Sequence, residues 1–290
     1  MQRTIKFVLN HPFTKGHRVA ALSRLFKWQL LSRLNKRPVV HQFTKNSKLW
    51  VWKGLTGATG NIYCGLHEFE DMAFLLHLLR PGDLFVDIGA NIGSYTMLAS
   101  AEAGANTIAV EPVPQTFGNL TQNIKLNNIE NKVTALNVGL GKEQGTLTFT
   151  KGFDTGNHVA TANDTDVVEV AVRTLDNVLN NKVPLLLKID VEGYETQVLN
   201  GVANTLNSTG LKAIIIELNG AGDKYGFDEE HIHQLLITHG FKVAGYLPFK
   251  RDLFDAKRKT EHNTLYIRDE EFIKARLKDA HKVFVQGREL

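Results

Sequence analysis

The spacing of apolar positions changes character along this chain, and each change predicts an element. Between residues 17 and 35, Val19, Leu22, Phe26, Leu30 and Leu34 fall on one side of a helix turning about 100° per residue. Trp28 and Leu31 sit on the other side. Two fates are open to the stripe: packing on the rest of the protein, or lying on a membrane surface. Residues 48–63 alternate and carry glycines, which predicts a small hairpin. Residues 69–79 predict a short helix ending before the Pro81-Gly82 turn signal.

From residue 84 a strand–helix alternation sets in. Strands are predicted at Leu84–Ile88, Thr107–Glu111, Val133–Val138, Leu185–Asp190, Ala213–Leu218, Phe241–Tyr246 and Thr264–Arg268. Most are short apolar runs without alternation, as expected of strands covered on both faces. Helices are predicted over 113–128, 194–207 and 229–239, the last stopped by Gly240. Two further runs, Thr146–Thr150 and Val167–Val172, predict an antiparallel excursion between the third and fourth strands. The pattern is that of a mostly parallel, doubly wound α/β sheet with helices on both faces.

Charge divides the chain where the pattern does. Residues 1–67 contain 12 Lys/Arg and no acid, whereas residues 68–290 hold the other 22 bases against all 30 acids, a net of −8. The expected organisation is a basic helical and hairpin extension over 1–67 and a catalytic α/β domain over 68–290. A basic arm on an acidic body has two readings. Residues 1–45 make peripheral contact with an anionic membrane or an acidic polymer, or they clamp onto the acidic body. No apolar run approaches the roughly 18 residues that span a bilayer, and the apolar patch at Phe7–Leu9 is too short for a signal-peptide core. The expectation is a cytoplasmic protein, with peripheral membrane contact open. The single cysteine, Cys64, excludes an internal disulfide and a thiolate metal cluster, and reads as a small buried residue.

The strongest chemical signal is FVDIGANIGSY at 85–95. An apolar strand ends at Asp87, and Gly89, Asn91, Gly93 and Tyr95 lead into a helix. Ligands of open α/β sheets bind beyond the C-terminal strand ends. Gly89 and Gly93 permit a tight turn and close backbone approach. The spacing is not that of a dinucleotide loop, because the middle glycine that a diphosphate needs is missing. That disfavours a nucleotide-dependent dehydrogenase. Asp87 suits a cationic amino group instead. Glu111, followed by Pro112, ends the next strand 24 residues later and can accept hydrogen bonds from both ribose hydroxyls. S-adenosylmethionine carries an ammonium, a sulfonium, one carboxylate and a ribose, and fits this electrostatic pattern. Asn137, ending the third strand, reads either as an adenine-edge contact or as a turn residue.

The segments DIGANIGSYT (87–96), EPVPQTFGNL (111–120), LLKIDVEGYETQVLNG (186–201) and AIIIELNG (213–220) resemble the FkbM family of methyltransferases, over about residues 60–270. The resemblance implies a seven-stranded, Rossmann-like class I methyltransferase sheet with its last strand antiparallel. It also implies S-adenosylmethionine as donor, S-adenosylhomocysteine as product, and hydroxyls of sugars or polyketides as acceptors. At matching positions it puts Asp87, Gly89 and Gly93 at the methionine side and Glu111 at the ribose.

The tip of the fourth strand has its own reading. Asp190 and Glu192 would flank the transferring methyl, where a carboxylate can take the acceptor's proton. With Glu217 they would equally serve as oxygen ligands for a metal that acidifies the hydroxyl. The plainer alternative has Glu192 capping the next helix and Asp190 touching the cofactor's amino group. No metal ligand is assigned, and the need for a divalent metal stays open. His158, in a polar loop expected to overhang the strand tips, is a rival base. His67 and Glu68 stand where they can close the pocket from the N-terminal side. By resemblance, the Asn/Asp-Pro-Pro-aromatic tetrapeptide of amino-base methyltransferases is missing after the fourth strand, so nucleic acid is not the expected partner. The leading expectation is O-methylation of a sugar, glycan or related small molecule. The rival is a non-catalytic nucleoside-binding module docked by its basic arm, against which the intact pocket residues argue.

Overall fold

The computed structural model describes residues 1–35, 37–258 and 262–290. Helices α1 (Gln2–Asn10) and α2 (Arg18–Leu34) come first. Strands β1 (Val39–Gln42) and β2 (Lys48–Val51) then pair antiparallel, and helix α3 (Thr56–Cys64) follows. The hairpin is therefore built from 39–51 rather than 48–63. The glycines that read as turn signals belong to α3, and one has a packing reason. A Cβ at Gly60 would lie 2.1 Å from the His67 ring, so only glycine lets this helix pass so close.

Helix α2 forms where the periodicity predicts it, but it presents the other face to the protein. Ala21, Leu25 and Ser32 are buried, and of the predicted stripe only Leu22 packs against the core. Val19, Phe26, Leu30 and Leu34 are 84, 51, 61 and 76% exposed. The helix packs on α3, where the Arg24 guanidinium donates to the Tyr63 carbonyl.

The chain continues through α4 (Phe69–Leu78), β3 (Leu84–Ile88), α5 (Ser94–Met97), β4 (Asn106–Val110), α6 (Pro114–Leu126) and β5 (Val133–Leu136). The excursion is made of β6 (Gly139–Leu140), β7 (Gly145–Thr150) and β8 (Val167–Arg173), with β7 and β8 antiparallel as expected and β6 parallel to β8. Then come α7 (Leu175–Leu179), β9 (Leu186–Ile189), α8 (Glu195–Asn200), α9 (Ala203–Asn207), β10 (Ala213–Glu217), α10 (Glu229–Thr238), β11 (Lys242–Leu247), β12 (Asp252–Asp255), β13 (Asn263–Ile267) and α11 (Glu270–Lys278). A short β14 (Phe284–Val285) and β15 (Arg288–Glu289) pair ends it.

The main sheet runs β12-β11-β13-β10-β9-β3-β4-β5. β5, β4, β3, β9 and β10 are mutually parallel, and β13 runs antiparallel to both β10 and β11. The expected seven strands are present, and β12 adds an eighth at the edge by pairing with β11. Its sequence, Asp-Leu-Phe-Asp, has too few apolar residues to announce a strand.

Alternation divides the core. Phe85, Ala109, Leu186 and Ile215 face one apolar cluster, which also contains Val8, Leu25, Phe43 and Leu49 of the first 67 residues. Val86, Ile108, Leu187 and Ile216 face the other, with α8–α10. Asparagines of the α6 region tie down the edge of β2: Asn123 Oδ1 accepts from Trp50 N and Asn127 Oδ1 from Lys48 N, both at 2.7 Å. Strand order reverses between β3 and β9, so a crevice opens beyond their C-terminal ends. Among the described residues no helix is long and apolar enough to cross a membrane.

Candidate active site

A cavity of about 460 Å³ occupies that crevice, within the range of small-molecule sites. Asp87, Gly89, Asn91, Tyr95, Glu111, Pro112, Asp190 and Glu192 all line it. Parallel pairing brings them together. Asp87 lies in register with Lys188, and Ile88 with both Val110 and Ile189, so the three strand tips end side by side.

The loop after β3 is held by its neighbours. Gly89 N and Ala90 N both donate to Val110 O at 3.0 Å. Gly89 has φ +78, and a Cβ there would stand 1.8 Å from the Asp190 carbonyl oxygen. Glycine is thus required both by conformation and by the backbone of β9's extension. Gly93, at φ +89, opens α5 and does not itself line the cavity.

Glu111 is buried, and each of its oxygens holds one backbone donor: Oε2 accepts from Asn91 N and Oε1 from Val113 N, both at 3.0 Å. Each oxygen retains a further lone pair, so the carboxylate can still accept from a vicinal diol. Burial pushes its pKa up to about 7, against the pull of those two N–H groups. Asp87 is pushed up to about 6, again mainly by burial, although Thr96 Oγ1 donates to it at 2.6 Å. A cationic ligand would favour the ionised state of both. The residues present therefore fit S-adenosylmethionine: Glu111 for the ribose diol, Asp87 and the 89–93 loop for the amino-acid end. Asn137 stands outside the cavity lining, and both its amide hydrogens are taken by the carbonyls of Glu111 and Pro112. It fixes the turn that carries Glu111.

On the opposite wall, carboxylate oxygens of Asp190, Glu192 and Glu217 lie within 4.8 Å of one another. These three could hold a divalent cation. Lys188, buried beneath them, donates to Asp190 Oδ2 at 2.9 Å. Burial opposes its charge, but Asp190 holds the ammonium well above its ordinary pKa. Glu217 is pushed up to about 8, first by burial and then by the Asp190 charge. Glu192 is raised for the same two reasons, and it occupies a left-handed conformation at φ 55. It does not cap α8. Glu195 Oε1 takes the free N–H groups of Val191 and Gly193 instead, at 3.1 Å each. The Tyr95 ring lies 5.4 Å from Lys188 Nζ, and its hydroxyl has no partner among the described residues.

The loop between β7 and β8 does overhang the strand tips, through Asp154, Thr155 and Asn157. His158 is not in the lining. Its Nδ1 donates to Gly156 O at 2.9 Å and its Nε2 lies 3.6 Å from Asp164. His67 and Glu68 both line the cavity, with Asn263 Nδ2 donating to Glu68 at 2.7 Å. Sequence reasoning missed Thr4 and Phe7 of α1 and Gly57 and Asn61 of α3, which close the N-terminal side. The Gly-x-x-Gly spacing of 57–60 was the available signal, and it was absorbed by the hairpin reading. Cys64 is buried, its thiol pushed up to about 12 by burial.

Residues 87–246, from the first strand tip to β11, match the FkbM methyltransferase domain. The chain belongs to the FkbM methyltransferase family. It is 30% identical over 172 residues to the hexuronic acid methyltransferase AglP of Haloferax volcanii, covering 58% of this chain and 67% of the relative. It is 29% identical over 212 residues to the 31-O-demethyl-FK506 methyltransferase FkbM of Streptomyces tacrolimicus, covering 61% and 80%. Among solved structures, the methyltransferase FkbM of Methylobacillus flagellatus superimposes with a TM-score of 0.44 at 14% identity, over 86% of this chain and 60% of that one. This FkbM-family chain is a methyltransferase, and its family implies S-adenosylmethionine as donor.

Proposed function

We propose that this FkbM-family methyltransferase moves the methyl group of S-adenosylmethionine to a hydroxyl of a sugar, glycan or related small molecule. The observation that carries the reading is the carboxylate cluster of Asp190, Glu192 and Glu217 in the same cavity as Asp87 and Glu111. The acceptor oxygen attacks the methyl carbon, the carbon–sulfur bond breaks, and S-adenosylhomocysteine leaves. The hydroxyl proton goes to a carboxylate. Asp190, Glu192 and Glu217 all line the cavity, and Glu217, its pKa raised to about 8 by burial, would be a stronger base than an ordinary carboxylate. A divalent ion on the same three residues would supply acidification of the hydroxyl. Positioning and desolvation of the sulfonium do the rest. The two relatives are named for a hexuronic acid and for 31-O-demethyl-FK506, and both fit an oxygen acceptor.

The test is incubation with S-adenosylmethionine and a panel of hexuronates, neutral sugars, polyketide alcohols and nucleic acid, with and without magnesium. Products are read by mass spectrometry for the gain of one methylene. Methylated sugar or alcohol supports the reading. Methylation of nucleic acid alone overturns it.

A further inference from the structure

Helix α2 is apolar on two opposite sides, and only one of them is covered. At about 100° per residue, Ala21, Leu25 and Ser32 cluster on the buried side, and Val19, Phe26, Leu30 and Leu34 span the side facing away. Arg33 and Lys27 border that outer stripe on its two edges, and both are exposed. Four large apolar side chains in one solvent-facing row exceed the scattered exposure of an ordinary surface.

A second cavity of about 440 Å³ opens beside the stripe, between α2 and the β1–β2 hairpin. Its apolar walls include Trp28, Leu31, Val39 and Trp52. Its charged lining residues are Arg24, Lys27, Arg37 and Lys53, with no acid among them. Leu31, itself exposed, lines this cavity just beyond Lys27, so the cavity opens next to the basic edge of the stripe. An apolar interior with cationic lining groups suits a hydrocarbon chain with an anionic head.

From these features we infer that the outer face of α2 docks on an anionic bilayer, with one lipid chain seated in the adjoining cavity. Charge selects the occupant. No acid precedes Glu68, and among the described residues no Lys or Arg of the first 67 is ion-paired with an acid. Apolar packing rather than ion pairing holds the described part of the arm on the body, which leaves those bases available to an anionic surface. A second copy on this face would set bases against bases. A bilayer with anionic headgroups satisfies the stripe, its basic borders and the cavity together. Helix α3 lines both cavities, through Ile62 on this side and Asn61 on the other, so the bilayer would lie one helix from the transfer site.

The test is flotation of the full chain with vesicles of phosphatidylcholine alone and of phosphatidylcholine with one third phosphatidylglycerol, at low and high salt. The expected result is binding to the anionic vesicles only, weakening steeply with salt. The double substitution Phe26→Glu with Leu30→Glu should weaken that binding about tenfold or more. Both side chains are exposed, so the variant should melt as the wild type does, which separates lost docking from lost folding. Sedimentation velocity runs alongside. Failure of the wild type to bind anionic vesicles overturns the inference, as does binding that the double variant retains. A wild-type dimer that the same substitutions dissolve would also overturn it, making this face a self-association surface.

Discussion

Lys188 and Asp190, two residues apart at the end of β9, form a 2.9 Å ion pair in which the cation is 2% exposed and the anion 33%. The asymmetry matters more than the bond. Removing the anion takes the direct hydrogen-bonded partner from a buried ammonium and leaves it only the more distant charges of Asp87, Glu68 and Glu217, whereas removing the cation leaves a carboxylate that water can reach. Asp190→Asn should therefore cost about 3 kcal/mol of folding stability. Lys188→Met, which keeps the aliphatic volume, should cost about 1 kcal/mol. Urea midpoints of the two variants check the order; equal losses would mean that the pair is solvated.

Stability should fall as pH rises through neutrality in the ligand-free protein. Burial raises Asp87 to about 6, Glu111 and Glu195 to about 7, and Glu217 to about 8. A carboxyl raised on folding binds its proton more tightly in the native state. Its contribution is complete below the unfolded value of roughly 4 and is lost as pH passes its folded value. The urea midpoint should thus decline between about pH 5 and pH 8. Glu217→Gln should flatten the alkaline part of that decline. A midpoint that rises over this range contradicts the burial of these groups.

The same residue gives a kinetic signature. If Glu217 takes the acceptor's proton, kcat/KM should climb with pH and level off above about 8. Glu217→Gln should lower kcat by about a hundredfold and remove the slope. A His158→Gln variant should leave the profile unchanged, since both ring nitrogens face groups outside the cavity. Loss of the slope in the histidine variant would reverse the assignment.

Gly89→Ala should be far more damaging than any alanine elsewhere in the loop's vicinity. The added carbon meets the Asp190 carbonyl oxygen at 1.8 Å and the backbone is left-handed, so β3 and β9 must part. Gly118, in α6 with nothing within 4 Å of its Cβ position, is the control. Gly118→Ala should be neutral or stabilising by up to about 1 kcal/mol. Gly89→Ala should lower the melting temperature and abolish S-adenosylhomocysteine binding, read by thermal shift with and without the ligand.

What the sequence revealed follows from where its signals are strong. The strand tips at Asp87, Glu111 and Asp190 were legible because unbroken apolar runs end in acids at βα spacing, and the sheet topology then brings them together. The α2 helix was legible as a helix, but periodicity cannot say which of two apolar sides is covered. The buried side is the one carrying Ala21, Leu25 and Ser32, two of them small enough to let neighbouring elements approach closely. α3 was hidden because Gly57 and Gly60 are poor helix formers, tolerated here for their contacts with Asn91 and His67. β12 was silent because a short edge strand needs little apolar sequence. His158 and Asn137 lay close to the site in the chain, yet backbone carbonyls take the Asn137 amide and His158 Nδ1, and the Asp164 carboxylate faces His158 Nε2. No spacing rule anticipates that.

The most direct test of the central claim is calorimetric titration of the protein with S-adenosylhomocysteine, beside Glu111→Ala. The account predicts saturable one-site binding by the wild type. It predicts about a hundredfold loss in the variant, since two charge-assisted hydrogen bonds to the ribose disappear. Binding of equal strength by both proteins would contradict it, because the nucleoside would then lie somewhere other than the tip of β4.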